Sequence, residues 1–308
     1  MTLAIFAGAA LAADGALPVE AAQAVAPSTT PWWVWPLALF VVTFFIGIVA
    51  VLGGVGGGVL FVPIVSGFFP FHLDFVRGAG LLVALSAALA AGPGLLRKGL
   101  ADLRLALPMG LIASTSAIGG ALIGLALPTN VVQIALGVTI LGIVAVMFKA
   151  KKSDYPNVPQ SCALSRALRI HGIYFEETLE KNVDWKIHRG PAGMALFVLI
   201  GVMAGMFGLG AGWANVPVLN LLLGAPLKLS VATSMFLLSI TDTSAAWVYV
   251  NKGAVLPMLV TPSLLGIMLG SMTGVRILSK TRPASVRYIV IVMLFLAGAR
   301  SVLKGFGI

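Results

Sequence analysis

The chain has 308 residues, of which 59% are hydrophobic and 10% charged, with a mean hydropathy of +1.04. A soluble domain carries about a quarter charged residues, so a water-soluble globular protein is excluded. The net charge of +10 would suggest nucleic acid in a soluble protein; here it reads as cationic loops on the cytoplasmic side of a bilayer, with no nucleic-acid partner.

Residues 1–32 form an N-terminal tail without Lys or Arg, expected on the extracytoplasmic side. Its apolar run from Leu3 to Ala12 looks like the core of a signal peptide but lacks a positive leader, so cleavage is the lesser expectation. Apolar blocks follow at 33–52, 59–70, 77–96, 105–125 and 131–148, making a first transmembrane repeat over 33–148. A polar linker covers 149–190, and blocks at 191–207, 213–225, 229–250, 254–275 and 288–303 make a second repeat over 191–308. The blocks at 59–70 and 213–225 are short, and each follows a glycine cluster.

The two sets of blocks align as internal copies. Pro63 and Pro217, Lys98-Gly99 and Lys252-Gly253, and Pro108 and Pro262 are all separated by 154 residues without a gap. Duplicated halves are a transporter signature. If each half changes side an odd number of times and the N-terminus lies outside, 16 of the 20 cations fall on the inside; an even count leaves 14 there. The positive-inside rule therefore favours inverted halves at the cell membrane, with the 149–190 loop cytoplasmic. The expected fold is an all-α polytopic membrane protein. It has two inverted repeats of about five helical segments each, one short or broken helix pair per repeat, and a small cytoplasmic β-hairpin in the central loop.

Glycine at positions 53, 54, 56, 57 and 58 is a poor choice for a lipid-exposed helix, each costing roughly 1 kcal/mol relative to Ala. Close helix packing of the small-xxx-small kind explains isolated pairs such as Gly120 and Gly124. Two clusters at equivalent positions, each followed by a short segment and Val-Pro, fit a broken helix better. A helix restarting there presents free N–H groups and its positive dipole end, which bind an anion without a buried cation. Such segments would be re-entrant hairpins with tips meeting near the midplane, or short spans; the charge count does not separate the two.

Other polar residues could complete the pocket. Thr233 and Ser234 lie in the 229–250 block, Ser114 and Thr115 in 105–125, and Asn215 follows the second cluster. Each hydroxyl has the competing role of bonding its own backbone. Asp242 is the one carboxylate well within an expected span, and it either carries a coupling proton or pairs with Arg276 or Arg300. In the linker, 170–175 and 183–187 alternate around 176–182, as a hairpin does, with a structural or regulatory role. The lone Cys162 excludes an internal disulfide, while His171 and His188 have no ligand company.

With Gly54–Pro63, Arg97–Arg104, Gly208–Pro217, Val231–Ser234 and Asn251–Gly253 in this order, the chain resembles the TauE/SafE family of sulfite and organosulfonate exporters, also called toluene sulfonate uptake permeases. The likeness runs from residue 35 to the C-terminus. It implies movement of sulfite, sulfoacetate or a related sulfonate across the plasma membrane. Ala211 and Trp213 depart from the usual glycine pattern, and Trp213 could wall an organic substrate's carbon portion or serve as a packing aromatic. The expected substrate-binding set is Gly56, Gly57, Gly58, Gly210, Ala211, Gly212, Trp213, Asn215, Thr233, Ser234, Ser114 and Thr115, with Asp242 for coupling. No catalytic residue, metal or cofactor is expected. A passive anion channel is the alternative. An intramembrane enzyme has little support, since the spans hold no HExxH pair, no second acid and no histidine beside a serine.

Overall fold

Apolar runs become helices here, and the glycines, prolines and caps between them set the ends. The computed structural model describes residues 31, 33–53, 56–97, 101–149, 158, 162–168, 170–176, 181–278 and 283–306. The N-terminal tail, the Gly54–Val55 step and Lys98–Leu100 lie outside the described residues, as does the side chain of Arg276. The first half contains α1 (Val34–Gly53), α2 (Gly57–Phe68), α3 (Leu73–Arg97), α4 (Leu103–Ala126) and α5 (Thr129–Lys149). The linker carries a short α6 (Ala163–Ala167) and the strands β1 (His171–Glu176) and β2 (Lys181–Lys186). The second half contains α7 (Gly190–Phe207), α8 (Gly212–Pro217) running into a π-turn at Val218–Leu222, α9 (Leu227–Asn251), α10 (Pro257–Leu278) and α11 (Pro283–Gly305).

Local chemistry accounts for several boundaries. Asp102 caps α4 by accepting a 2.8 Å hydrogen bond from the Leu105 N–H. Pro257 and Pro283 stand first in α10 and α11, where the missing N–H has no intrahelical partner to lose. α7 closes on Gly208 in the left-handed conformation. α3, α4, α7, α9 and α10 are long and apolar enough to cross a membrane. Their outward faces are apolar too: Leu37, Val41 and Phe45 on α1 and Leu103, Leu107 and Leu111 on α4 form exposed stripes, a surface suited to lipid. The protein is thus a multi-pass membrane protein.

The helix starts repeat the sequence offset. Leu73 and Leu227, Leu103 and Pro257, and Thr129 and Pro283 each begin a helix 154 residues apart. The packing repeats by exchange as well: α1 lies along α10 as α4 lies along α7. Both contacts are parallel and glycine-lined. Gly47 abuts Ile267 and Ser271 while Gly266 abuts Phe40; Gly201 abuts Ala113 while Gly205 abuts Ala121. Gly120 and Gly124 join the same seam against Val202 and Met206, which bears out their reading as packing glycines. By contrast, α3 and α9 cross antiparallel, with Gly78 against Tyr249 at one end and Gly92 beside Ala232 at the other. α5 and α11 are antiparallel too, Gly305 lying against Ile134 and Gly298 against Ile140.

Each short helix turns back along the helix before it. The Trp35 ring at the start of α1 meets Phe69 and Phe71 just beyond α2, with centroids 5.7 and 6.3 Å away. At the other end of the bundle, the His188 N–H bonds Leu223 O at 3.0 Å, joining the approach to α7 with the exit of α8. The β-hairpin forms as expected but with a tighter turn, β1 gaining one residue there and β2 two while each strand loses one at its far end, pairing His171 with Lys186 through Glu176 with Lys181. Its buried Trp185 and the adjoining Ile170 and Ile187 pack into a core with Leu223, Ala225 and Leu229, so the hairpin covers the end of the bundle where α8 exits.

Candidate functional site

The two glycine breaks meet. Gly56, the residue before α2, has φ +83 and ψ 147, a conformation open to glycine and strained for other residues. A methyl group placed on it would lie 3.5 Å from Leu238 Cδ1 and 3.9 Å from Gly212 Cα, at the start of α8. On the other strand of the crossing, Gly210 has φ +70, and a methyl group there would lie 2.9 Å from Asp242 Oδ2, 3.0 Å from Ala84 Cβ and 3.3 Å from Leu238 Cδ2. Ala84 and Leu238 lie near the middle of the 25-residue helices α3 and α9. The meeting point is therefore deep in the bundle, far from either end.

Neither helix start has a side-chain cap. In α8 the Ala214 and Asn215 N–H groups bond Ala211 O, leaving the Gly212 and Trp213 N–H groups as the free donors of the first turn among the described residues. α2 presents its first N–H groups from Gly57, Gly58 and Val59, all buried. Small residues keep the crossing tight: a methyl group on Gly58 would lie 2.9 Å from Gly80 O.

α9 supplies the polar side chains. Ser234, Leu238 and Asp242 follow one another at four-residue intervals and so share a face of the helix. Leu238 touches the glycine tips, with Ser234 and Asp242 one turn to either side. Both Asp242 carboxylate oxygens and the Ser234 hydroxyl are buried without a protein partner among the described residues. The same holds for the Asn215 amide, the Trp213 indole N–H, Ser114 Oγ and Thr241 Oγ1. Leaving such a group unsatisfied costs about 1–3 kcal/mol, so this concentration of them makes the surroundings of the tips a candidate place for polar material to bind. Gly110 of α4 lies against Leu237 and Ile240 of α9, and Ser114 and Thr241 each stand one turn further along their helices. A cavity of about 140 Å³ between α3 and α9, lined by Ala88, Gly92, Met235 and Ser239 among others, begins one turn from Ala84 and Asp242.

Not every expected residue joins this group. Thr233 is buried, but its hydroxyl accepts a 3.2 Å bond from the Asp102 N–H and so ties the start of α4 to α9. Thr115 points outward: it is exposed, and its hydroxyl donates to Leu111 O and Ile112 O of its own helix. The β-branched residue sits one position past Ser114, which a helix turns by about 100°, enough to carry it from the α9 face to the lipid face. Thr115→Val is accordingly expected to leave anion binding unchanged in a titration; a loss of about tenfold or more would return Thr115 to the site. An ion pair between Asp242 and Arg300 does not form, because Arg300 Nε instead donates to Gly67 O at 2.6 Å. Trp213 is half-buried and packs against both large core clusters around the tips.

One network escaped the sequence reading. Arg77 is 1% exposed and ion-paired with Asp74, and its Nη1 donates to Gly124 O and Met206 O at 3.0 Å each. These carbonyls end α4 and α7, so a single guanidinium caps two helices. Tyr249, whose ring lies under the guanidinium at 5.7 Å, donates its hydroxyl to Gly205 O at 2.9 Å. The i, i+3 spacing of Asp74 and Arg77 at the head of an apolar block was the available signal.

A family model described as "Sulfite exporter TauE/SafE" matches residues 39–301. A protein of Bacillus subtilis (strain 168) described as "Probable membrane transporter protein YunE" is 23% identical over 275 residues, covering 87% of this chain and 97% of that protein. No solved structure matches.

Proposed function

The chain belongs to the TauE/SafE sulfite exporter family of membrane transporters, and on that premise we propose that it carries a small sulfur-containing anion, sulfite or an organosulfonate such as sulfoacetate, bound between the glycine tips. The observation that carries this reading is the contact of two uncapped helix starts, Gly56–Val59 and Gly210–Trp213, beside unpartnered Asn215, Ser234 and Asp242. The N-terminal end of a helix carries roughly half a positive charge, and free backbone N–H groups match the oxygens of a sulfonate. No Lys or Arg among the described residues competes there, since Arg77 is engaged by carbonyls and Asp74. An anion held by dipoles rather than by a full charge can leave again, as a carrier requires.

Asp242 supplies the coupling. Ionised, it repels an anion at the neighbouring tip; protonated, it offers a hydrogen bond. Anion and proton then travel together. The two halves act as inverted repeats, supported by the antiparallel crossings of α3 with α9 and α5 with α11. In sequence, 16 of the 20 cations fall in 97–104, the linker, Lys228 and 276–287, and we assign the bundle end that holds Arg97, Arg104 and Lys228 to the cytoplasm. The α1–α2 and α7–α8 hairpins then enter from opposite faces.

Purified protein in liposomes tests the function: saturable sulfonate flux is expected, and unsaturable conductance would make it a channel. Gly57→Leu tests the site. Its first added carbon would meet the Ile267 side chain, 2.9 Å away, which can shift, and the added bulk would crowd the first turn of α2 against Ile267 and Val83. Sulfonate affinity is expected to fall by about a hundredfold or more with the fold retained by circular dichroism, a loss of about 3 kcal/mol. Retained affinity would return the glycines to a packing role.

A further inference from the structure

Far from the glycine tips, α11 places two cations on the C-terminal end of α2. Arg300 Nε donates to Gly67 O at 2.6 Å and Lys304 Nζ to Ser66 O at 2.5 Å. Standing one helical turn apart on one face, they repel each other unless an anion lies between them. Neither has a carboxylate partner among the described residues; Asp74, at the same end, is taken by Arg77. Each carbonyl bond uses one N–H, leaving donors over on both groups. Those groups line a cavity of about 480 Å³ with Gly67 and Leu303.

The surroundings identify the anion. Phe68 lies under the Arg300 guanidinium at 4.7 Å and is exposed, as are Leu303 and Phe306. Trp35, Phe69 and Phe71 cluster at the same end of α2. Aromatic residues gathered at one level of a membrane protein mark the headgroup region, and large exposed apolar side chains beneath it face acyl chains. We propose that the Arg300–Lys304 cavity binds the phosphate of an anionic phospholipid, its acyl chains running over Phe68 and Leu303. The lipid would complete the charge balance at the end of α2 whose opposite end forms a glycine tip. A soluble sulfonate presents the same oxyanion chemistry but has no use for the apolar flank.

The test uses delipidated full-length protein in detergent, comparing thermal stabilisation and retention of phosphatidylglycerol with phosphatidylcholine. Two cations at headgroup level give an expected preference of about thirtyfold for the anionic lipid. Arg300→Gln with Lys304→Gln is expected to erase the preference. Since those cations also cap α2, Leu303→Trp serves as a second variant that fills the cavity and leaves both cations in place; it too is expected to lose the preference. Equal retention of the two lipids by the wild type, or a preference that survives Leu303→Trp, overturns the proposal. A further arm adds sulfoacetate in phosphatidylcholine: stabilisation that depends on Arg300 and Lys304 would show an oxyanion from solution to be the occupant and overturn the lipid assignment. None of these outcomes depends on transport activity.

Discussion

Asp242→Asn is expected to abolish proton-driven accumulation while leaving sulfonate binding largely intact. Asp242 is fully buried within α9, and one carboxylate oxygen lies beside Gly210 at the tip of the second hairpin. If one proton accompanies one monovalent anion, a gradient of one pH unit supports about a tenfold accumulation, the equivalent of about 1.4 kcal/mol. Asn keeps the shape and can donate from its amide, so the anion retains a partner, but no proton is carried. Accumulation in liposomes should then fall to equality on the two sides, with exchange of labelled substrate continuing. A variant that still accumulates substrate tenfold with the wild-type pH dependence would remove Asp242 from coupling.

Arg77→Met should have the largest effect on stability. The guanidinium is buried against Asp74, two helix-terminal carbonyls and the Tyr249 ring. Met fills much of the volume but leaves Gly124 O without its donor and Met206 O with only the Tyr249 hydroxyl at 3.4 Å, and it strips Asp74 of the guanidinium, leaving it only the exposed His72 ring 3.6 Å away. Removing one partner of a buried ion pair typically costs about 3–5 kcal/mol. A large drop in the thermal midpoint of the detergent-solubilised protein is expected, with partial recovery when Asp74→Asn is added, because the stranded charge is then gone. An unchanged midpoint in the single variant would refute the capping role.

The network also separates the two halves. Counting 154 residues onward from Arg77 and back from Tyr249 gives Val231 and Leu95, neither charged nor able to donate a hydrogen bond. Where α3 and α9 close over Arg77 at one end of their crossing, they leave the cavity beside Gly92 and Ala232 at the other. The halves share their helix starts but differ in chemistry at these positions. Adjacent positions differ in the same way, Gly78-Ala79-Gly80 in one half standing 154 residues before Ala232-Thr233-Ser234 in the other.

Much of the architecture was readable in the chain. Blocks of apolar residues set the helices, because backbone groups in lipid must be satisfied within the segment. Their boundaries were misjudged by a few residues where polar side chains open a helix, as with Asp74 and Arg77 at the head of α3. Charge in that position looks like loop until its partners are known. The glycine breaks were visible as clusters, and the repeat offset followed from the spacing of Pro63 and Pro217, Lys98 and Lys252, and Pro108 and Pro262.

Composition, block length, repeat offset and the family motifs are thus properties of the chain, since they depend on neighbours within a helix turn or on a fixed spacing. Tertiary structure alone decided that Gly56 meets Gly212, that Leu238 and Asp242 face that contact, that Thr115 looks outward, and that Arg77 closes two helices. Each of those outcomes joins residues more than 40 positions apart or turns on which face of a helix finds a partner. A linear pattern of mostly apolar residues cannot encode that choice: when both the lipid face and the core face are hydrophobic, periodicity loses its contrast, and packing decides which side is inside.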